Sequence, residues 1–475
     1  MIKVKLNNEQ FNYDVYQMIN LFYLLPDIKF VEDDYDFDIT VKEDTIEIKK
    51  ESEIFVYTIN KSNKIKEEVK KAVFLYFSKN TTKELPWGTL IGIRPSKKAL
   101  ELLENGFSDD AIIADFKDKH IVRKDKAQLC IDVAKFEKSI VNKDKNSISV
   151  YIGMPFCPTR CVYCSFASNP ISKCKDIVDP YLDALSHEIS RIGNYVKEKK
   201  LNIECVYFGG GTPTSVNDEQ FKFIMKCIYE AFTKHNDVKE FTVECGRPDS
   251  ITILKLKTMK KYGVDRISIN PQTMNDDTLK LIGRSHSVND VIEKFNMARE
   301  LGFDNINMDL IVGLPGEKMS HIIKTCDKIF DLKPDSITIH GMTIKRASRL
   351  HENMLNNYKF VIPAQDELNK MYELTAQLSK KLDMKPYYMY RQKNMVGSME
   401  NVGYTRLGKE GIYNIQMIEE KQTVIALGAD AVCKVVFLEE NRHERFANVK
   451  DVREYIKRVD EMIEKKIVLL ETLYN

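Results

Sequence analysis

With 475 residues the chain exceeds what one compact core accommodates, so two or three domains are the expectation. Its 43 % hydrophobic and 30 % charged content is ordinary for a water-soluble globular protein, and a net charge of +2 argues against a broad basic face for nucleic acid. The chain has no apolar run of about 18 residues and no leader-like opening, so it reads as cytoplasmic and without a membrane partner; its ten cysteines then read as ligands or small buried hydrophobes rather than disulfides.

Residues 1–84 read as a small α/β unit, with a strand at 2–6, a helix at 10–25, a meander of strands at 37–41, 45–50 and 55–59, and a helix at 65–77. A helical connector, 85–146, opens on Pro86, Trp87 and Gly88 and ends in a polar linker at 141–146. From 147 to 345 short strands alternate with amphipathic helices; the strands fall at 148–154, 204–209, 240–245, 266–270, 305–312 and 336–341. In the first helix between them, Leu182, Leu185, Ile189, Ile192 and Val196 share one face. Such alternation predicts a parallel sheet with helices outside it, either open or closed as a partial barrel. Beyond 345 it fades. Helices at 364–382 and 452–466 flank a Gly- and Tyr-containing section, so 346–475 reads as a mainly helical extension that covers the substrate.

Cys157-Pro-Thr-Arg-Cys161-Val-Tyr-Cys164 follows the first strand of the repeating region. Three thiolates on a four-iron cubane leave one iron open to bind a small molecule, whereas four thiolates are usual for a passive electron carrier. Structural zinc also wants four ligands; Cys174 supplies a fourth only if its loop folds back. A thioredoxin-like reading of Cys161 and Cys164 leaves Cys157 idle. Cys130, Cys205, Cys227, Cys326 and Cys433 sit in apolar patterns and read as core, and Cys245 as core beside a candidate site residue.

In a parallel α/β fold the site lies over the carboxyl ends of the strands. Those ends carry Gly209, Gly210, Gly211 and Thr212; then Glu244; then Gln272; then Asp309; then His340. Each has a plain alternative: the glycines as a tight turn, Glu244 and Gln272 as helix-start polar residues, Asp309 as a buried carboxylate with a structural partner, and His340 as a satisfied core histidine. Arg284, after Gly283, is solvated unless a ligand carboxylate meets it.

Tyr151-Ile-Gly-Met-Pro-Phe-Cys-Pro-Thr-Arg-Cys-Val-Tyr-Cys-Ser-Phe166 resembles the cluster motif of radical S-adenosylmethionine (SAM) proteins. Phe208-Gly-Gly-Gly-Thr-Pro-Thr214 and Asp309-Leu-Ile-Val-Gly-Leu-Pro315 are similar to later motifs of the oxygen-independent coproporphyrinogen III oxidase group. Gly92-Ile-Arg-Pro-Ser96, Tyr390-Arg-Gln-Lys-Asn-Met395 and Glu419-Glu-Lys-Gln-Thr423 look like its HemZ-type coproporphyrinogen dehydrogenase branch. The resemblance spans most of the chain and implies a partial (β/α)6 radical SAM barrel. It implies a [4Fe–4S] cluster on Cys157, Cys161 and Cys164, with SAM on the fourth iron. Tyr151 and Tyr163 then lie near the cluster and methionine, and Gly210, Gly211 and Thr212 form the amino-group loop. Glu244, Gln272, Arg284 and Asp309 surround SAM, and Val432 lies on the adenine side.

The chemistry so implied removes a hydrogen atom and carbon dioxide from two propionates of coproporphyrinogen III, giving the vinyls of protoporphyrinogen IX. The implied partners are a tetrapyrrole substrate and a reduced flavodoxin- or ferredoxin-type donor. Substrate propionates call for cations, for which Arg391 and Lys393 beside Tyr387, Tyr388 and Tyr390 are candidates and Arg94 a weaker one. One departure matters: Phe166 stands where decarboxylating members have a further cysteine, which related haem-carrier proteins also lack. The rivals are therefore a haem chaperone on the same scaffold, a radical SAM enzyme acting on another tetrapyrrole, and RNA modification, which the near-neutral charge opposes.

Overall fold

In a computed structural model, the structure describes residues 1–23, 27–164, 169–346, 348–355 and 361–474. Period-two patterning sets up the first sheet: in β4, Thr45–Lys50, Ile46 and Ile48 point inward and their neighbours outward. It is joined by β1 (Ile2–Leu6), β2 (Ile28–Phe30), β3 (Phe37–Val41) and β5 (Glu53–Thr58) in the order β2-β1-β3-β4-β5. Helices α1 (Asn12–Phe22) and α2 (Ile65–Thr81) cover one face, packing Met18, Phe22, Val73 and Phe77 on Val4, Ile39, Ile46 and Ile48. The end of the helix expected at 10–25 lies outside the described residues, and β2 was not expected.

Helices α3 (Pro95–Glu104), α4 (Asp109–His120) and α5 (Lys124–Glu137) form the connector. Trp87, fully buried, donates to Glu400 Oε2 at 2.7 Å, while Lys126 Nζ reaches Glu400 Oε1 at 2.6 Å, so this carboxylate ties the connector to the C-terminal part.

The alternating region builds a parallel sheet from β6 (Ser147–Met154), β9 (Asn202–Gly210), β10 (Glu240–Glu244), β11 (Arg266–Ser268), β12 (Ile306–Val312) and β13 (Ser336–Gly341). Two short strands, β7 (Phe156–Cys157) and β8 (Asn169–Pro170), pair outside it. Consecutive barrel strands are spatial neighbours, and the intervening helices include α6 (Lys175–Glu198), α7 (Asp218–Ile228), α8 (Ile253–Lys261), α9 (Asp276–Leu281), α10 (Val288–Glu300) and α11 (Met319–Leu332). This is the partial (β/α)6 barrel. No helix among the described residues is long and apolar enough to cross a membrane.

After α12 (Arg349–Leu355) and α13 (Gln365–Lys381), the C-terminal part is more sheet-rich than its sequence suggests. Strands β14 (Lys385–Tyr390) and β15 (Asn401–Thr405) extend the sheet antiparallel beyond β13. After α14 (Ile412–Glu419), β16 (Thr423–Leu427) pairs parallel to β6, and β17 (Val432–Phe437) and β18 (Arg442–Ala447) continue outward, making eleven strands. Helices α15 (Val452–Lys457) and α16 (Val459–Tyr474) replace the single helix expected at 452–466, with a break at Arg458.

The chain at the start of α14 crosses the lower end of the barrel: Glu240 at the start of β10 accepts from the Ile412 and Tyr413 amides, and Arg266 at the start of β11 donates to the Lys409 carbonyl at 3.0 Å. The strands terminate at the opposite end, where a site in such a fold lies.

Candidate active site

The cysteine loop leaves β6 at Met154 and is bracketed by the pairing of β7 with β8. Cys157 and Cys161 are buried and Cys164 is half-buried; all ten cysteines are free thiols. The loop is held by main-chain bonds to its neighbours: Thr159 Oγ1 donates to Gly283 O at 2.8 Å, and Val162 N to Ile282 O at 3.0 Å. Two sulfurs already meet donors. Thr212 Oγ1 lies 3.5 Å from Cys157 Sγ, and Arg247 Nη1 lies 3.8 Å from Cys161 Sγ. Burial pushes the Cys157 thiol up to about 11, against the Thr212 hydroxyl, so a thiolate here needs a metal to hold it.

The glycines after β9 are needed for close approach. A Cβ on Gly211 would stand 2.6 Å from Phe156 O and 3.0 Å from Cys157 Sγ, and Gly210 has φ 101°. The backbone there is stitched to the cysteine loop, Gly211 N donating to Met154 O at 2.6 Å and Thr212 N to Phe156 O at 2.8 Å.

Glu244 ends β10 inside the mouth and accepts from the Tyr207 hydroxyl. Burial raises its carboxyl to about 7, with the Tyr207 bond opposing. Asp309 in β12 accepts from Asn307 Nδ2 at 2.7 Å, and His340 Nε2 stands 3.6 Å away. Burial pushes Asp309 up, but His340 and Asn307 outweigh it and leave the carboxyl below its usual range. Gln272, at φ 68°, bulges against β12: its amide donates to Asp309 O at 2.9 Å, and its Oε1 is buried with no partner.

Arg284 is buried, not solvated. Its Nη1 donates to Asn270 O at 2.6 Å, it packs against Tyr163 and Cys161, and its Nε has no partner. Tyr151 stacks on Tyr207 at 6.2 Å, and Tyr413 of α14 closes the stack at 4.3 Å from Tyr207. Val432 opens β17 with 46 % of its surface exposed, an apolar side chain left open at the end of the Gly428–Ala431 loop. Tyr163 and Arg284 thus contact Cys161, Gly211 and Thr212 contact Cys157, Tyr151 and Glu244 border the glycine loop, and Gln272 pairs with Asp309.

The donor set fits an iron–sulfur cubane. Cys157, Cys161 and Cys164 bring three thiols to one loop, and a cubane spreads three protein thiolates over separate irons. The orphaned Gln272 Oε1 and Arg284 Nε, with Glu244 and Asp309, also offer acceptors and a donor of the kind an amino acid joined to a nucleoside requires.

Two expectations for substrate cations change. Arg391 is no ligand for a carboxylate, because its guanidinium is spent on main chain: Nη1 on Leu90 O, Nη2 on Ser398 O at 2.7 Å and Nε on Met399 O at 3.2 Å, with Trp87 stacked 4.8 Å away. Arg94 is likewise spent, on the Ile418 and Glu419 carbonyls and on Glu420 at 3.0 Å. Cys245, expected as core, is fully buried with Met259 Sδ 3.7 Å from its sulfur. Lys393 is exposed. Phe166 lies outside the described residues. Sequence reasoning missed Arg247, held bidentate by Asp249 at 2.9 and 3.1 Å; a Gly-Arg-Pro following a strand was its only signal.

Residues 151–329 match the model of the radical SAM superfamily. The chain is 39 % identical to the oxygen-independent coproporphyrinogen-III oxidase-like protein HemZ of Bacillus subtilis, over 82 % of this chain and 78 % of that one. It is 32 % identical to the heme chaperone HemW of the same organism, over 58 % and 68 % respectively. Among solved structures, coproporphyrinogen III oxidase (HemN) from Escherichia coli, described as a radical SAM enzyme, superposes with a TM-score of 0.50 at 22 % identity, covering 69 % of this chain and 72 % of that one.

Proposed function

Since the chain belongs to the radical SAM superfamily and, within it, to the HemZ-type oxygen-independent coproporphyrinogen III oxidase-like group, whose cofactors are a [4Fe–4S] cluster and SAM, we propose that it decarboxylates propionates of coproporphyrinogen III to vinyls. The observation that supports this is Arg284 packed on Cys161 with its Nε unpartnered, beside a glycine loop pressed against Cys157.

When bound, the cluster and SAM supply one-electron chemistry able to take a hydrogen atom from an unactivated carbon. The residues of the chain do the rest. Cys157, Cys161 and Cys164 hold the cluster, and the Thr212 hydroxyl and Arg247 guanidinium offset thiolate charge. The Gly210–Thr212 backbone receives the amino group of SAM, and the free Nε of Arg284 meets its carboxylate. Glu244, Gln272 and Asp309 accept from its hydroxyl and amino groups, Tyr151 and Tyr163 flank its methionine end, and Val432 covers the adenine. Each vinyl formed releases one carbon dioxide and, beyond the hydrogen atom removed, one electron, which an external one-electron acceptor takes up.

Anaerobic turnover with coproporphyrinogen III, SAM and a reductant tests this. Mass spectrometry should detect a product lighter by two formic acid equivalents. Intact tetrapyrrole alongside cleaved SAM would refute decarboxylation. The second reading, a haem chaperone, is favoured by Phe166 and by the likeness to HemW. It requires stable haem binding and transfer to an acceptor protein with no mass change.

A further inference from the structure

We propose that Lys345, Arg346 and Arg349, with Lys393 beside them, form a cationic rim that grips the outward-facing carboxylates of a polycarboxylate tetrapyrrole, an inference that rests on the tetrapyrrole reading above.

The chain leaves β13 at the mouth of the barrel, immediately after His340 and Gly341. Ile344 N donates to Asn394 O at 3.1 Å, which fastens this segment to the turn bearing Lys393. Lys345 O then accepts from Ser348 N at 2.9 Å and from Ser348 Oγ at 2.6 Å, folding the segment back. Leu350 N donates to Val162 O at 2.8 Å, so the far end is pinned to the cysteine loop, between Cys161 and Cys164. The cations therefore lie on a strap anchored at Ile344 and at Leu350, the second anchor being on the cluster loop itself. Lys345 is half-buried within electrostatic reach of Cys164, and Arg346, Arg349 and Lys393 are exposed.

Inside the mouth both signs are present: Arg247 and Arg284 stand against Cys161, and the carboxylates Glu244 and Asp309 lie at neighbouring strand ends. Along the strap Lys345, Arg346 and Arg349 set three cations close together, with Glu352 the acidic residue that follows. A macrocycle bearing four propionates brings one of them to the reacting site at a time, and the remainder project outward from the ring edge. Arginines there can take those carboxylates bidentately, and lysines can take them as point charges. Arg391 and Arg94, cations the sequence also offers, are spent on main-chain carbonyls, which leaves the strap to do this.

The test compares the cluster-reconstituted wild type with an Arg346→Ala/Arg349→Ala double variant, titrated with coproporphyrin III (four carboxylates) and protoporphyrin IX (two). Coproporphyrin III affinity should fall about tenfold, protoporphyrin IX affinity about threefold, and an Arg346→Lys/Arg349→Lys variant should recover part of the loss. Cluster content and SAM affinity should match wild type. Unchanged porphyrin affinities in the Ala variant would overturn the inference. So would a loss seen only in turnover driven by reduced flavodoxin and not by dithionite, which would mark the strap as a dock for an acidic protein. A wild type that binds neither porphyrin sinks the tetrapyrrole reading itself, whereas intact wild-type binding that the variant retains sinks the inference alone.

Discussion

The Arg247 guanidinium lies 3.8 Å from the Cys161 sulfur while its other face is clamped by Asp249. A cation beside a ligand sulfur favours the more negative, reduced state of a cluster, and the Asp249 carboxylate offsets part of that effect. Arg247→Leu should therefore lower the reduction potential by about 50 mV, close to a tenfold shift for a one-electron couple. An anaerobic potentiometric titration followed by electron paramagnetic resonance reads this directly. An unmoved potential would reduce Arg247 to a brace for Thr159, to which it also donates at 3.0 Å.

Cys161→Ala removes a ligand at little packing cost, since the side chain is small and the loop is held by the Val162 amide and the Thr159 hydroxyl, each on a main-chain carbonyl. The variant should express and melt like unreconstituted wild type, show no iron–sulfur absorption after anaerobic reconstitution, and cleave no SAM. Retained SAM cleavage would defeat the cluster assignment.

Glu188 and Lys466 are fully buried together, 278 residues apart. Glu188 also accepts from Gly428 N at 2.7 Å and Tyr455 Oη at 2.6 Å, and Lys466 donates to Ala426 O at 2.6 Å. The pair thereby fixes the loop leading to Val432. Lys466→Met strands a buried carboxylate and should cost about 3–5 kcal/mol, seen as a drop in thermal midpoint. At temperatures where the variant stays folded, SAM should bind more weakly with cluster content unchanged, because the loop loses its anchor. Equal loss of SAM and cluster would mean general unfolding instead.

What the sequence made legible was local. The cysteine motif is eight residues long, and the six barrel strands announce themselves by apolar runs between helical periods, so the ends of 336–341 coincide with those of β13. What it hid depends on distant partners. Arg391 looks like a free cation until the Leu90 carbonyl, 301 residues away, is found against it. Tyr413 joins the stack on Tyr207 only because α14 folds back under the barrel. Strand β16 is five buried residues, too short a run to separate from helix by periodicity, and it is specified by the free edge of β6.

Glu137 and Glu419 carry buried carboxyl oxygens with no partner, where the connector meets α14. Burial, reinforced by the charge of Glu419, raises Glu137 from 4.5 to about 9. The folded state therefore keeps a proton that the unfolded chain releases above about 4.5. Stability from this group is complete below that pH and declines as pH rises through about 9. Glu137→Gln mimics the protonated form and titrates nowhere in this range. Thermal midpoints measured from pH 5 to 9 should fall more steeply for wild type than for the variant, with the variant ahead at the alkaline end by on the order of 1–3 kcal/mol. Parallel curves would show that another group, or a water between the carboxyls, already carries the charge.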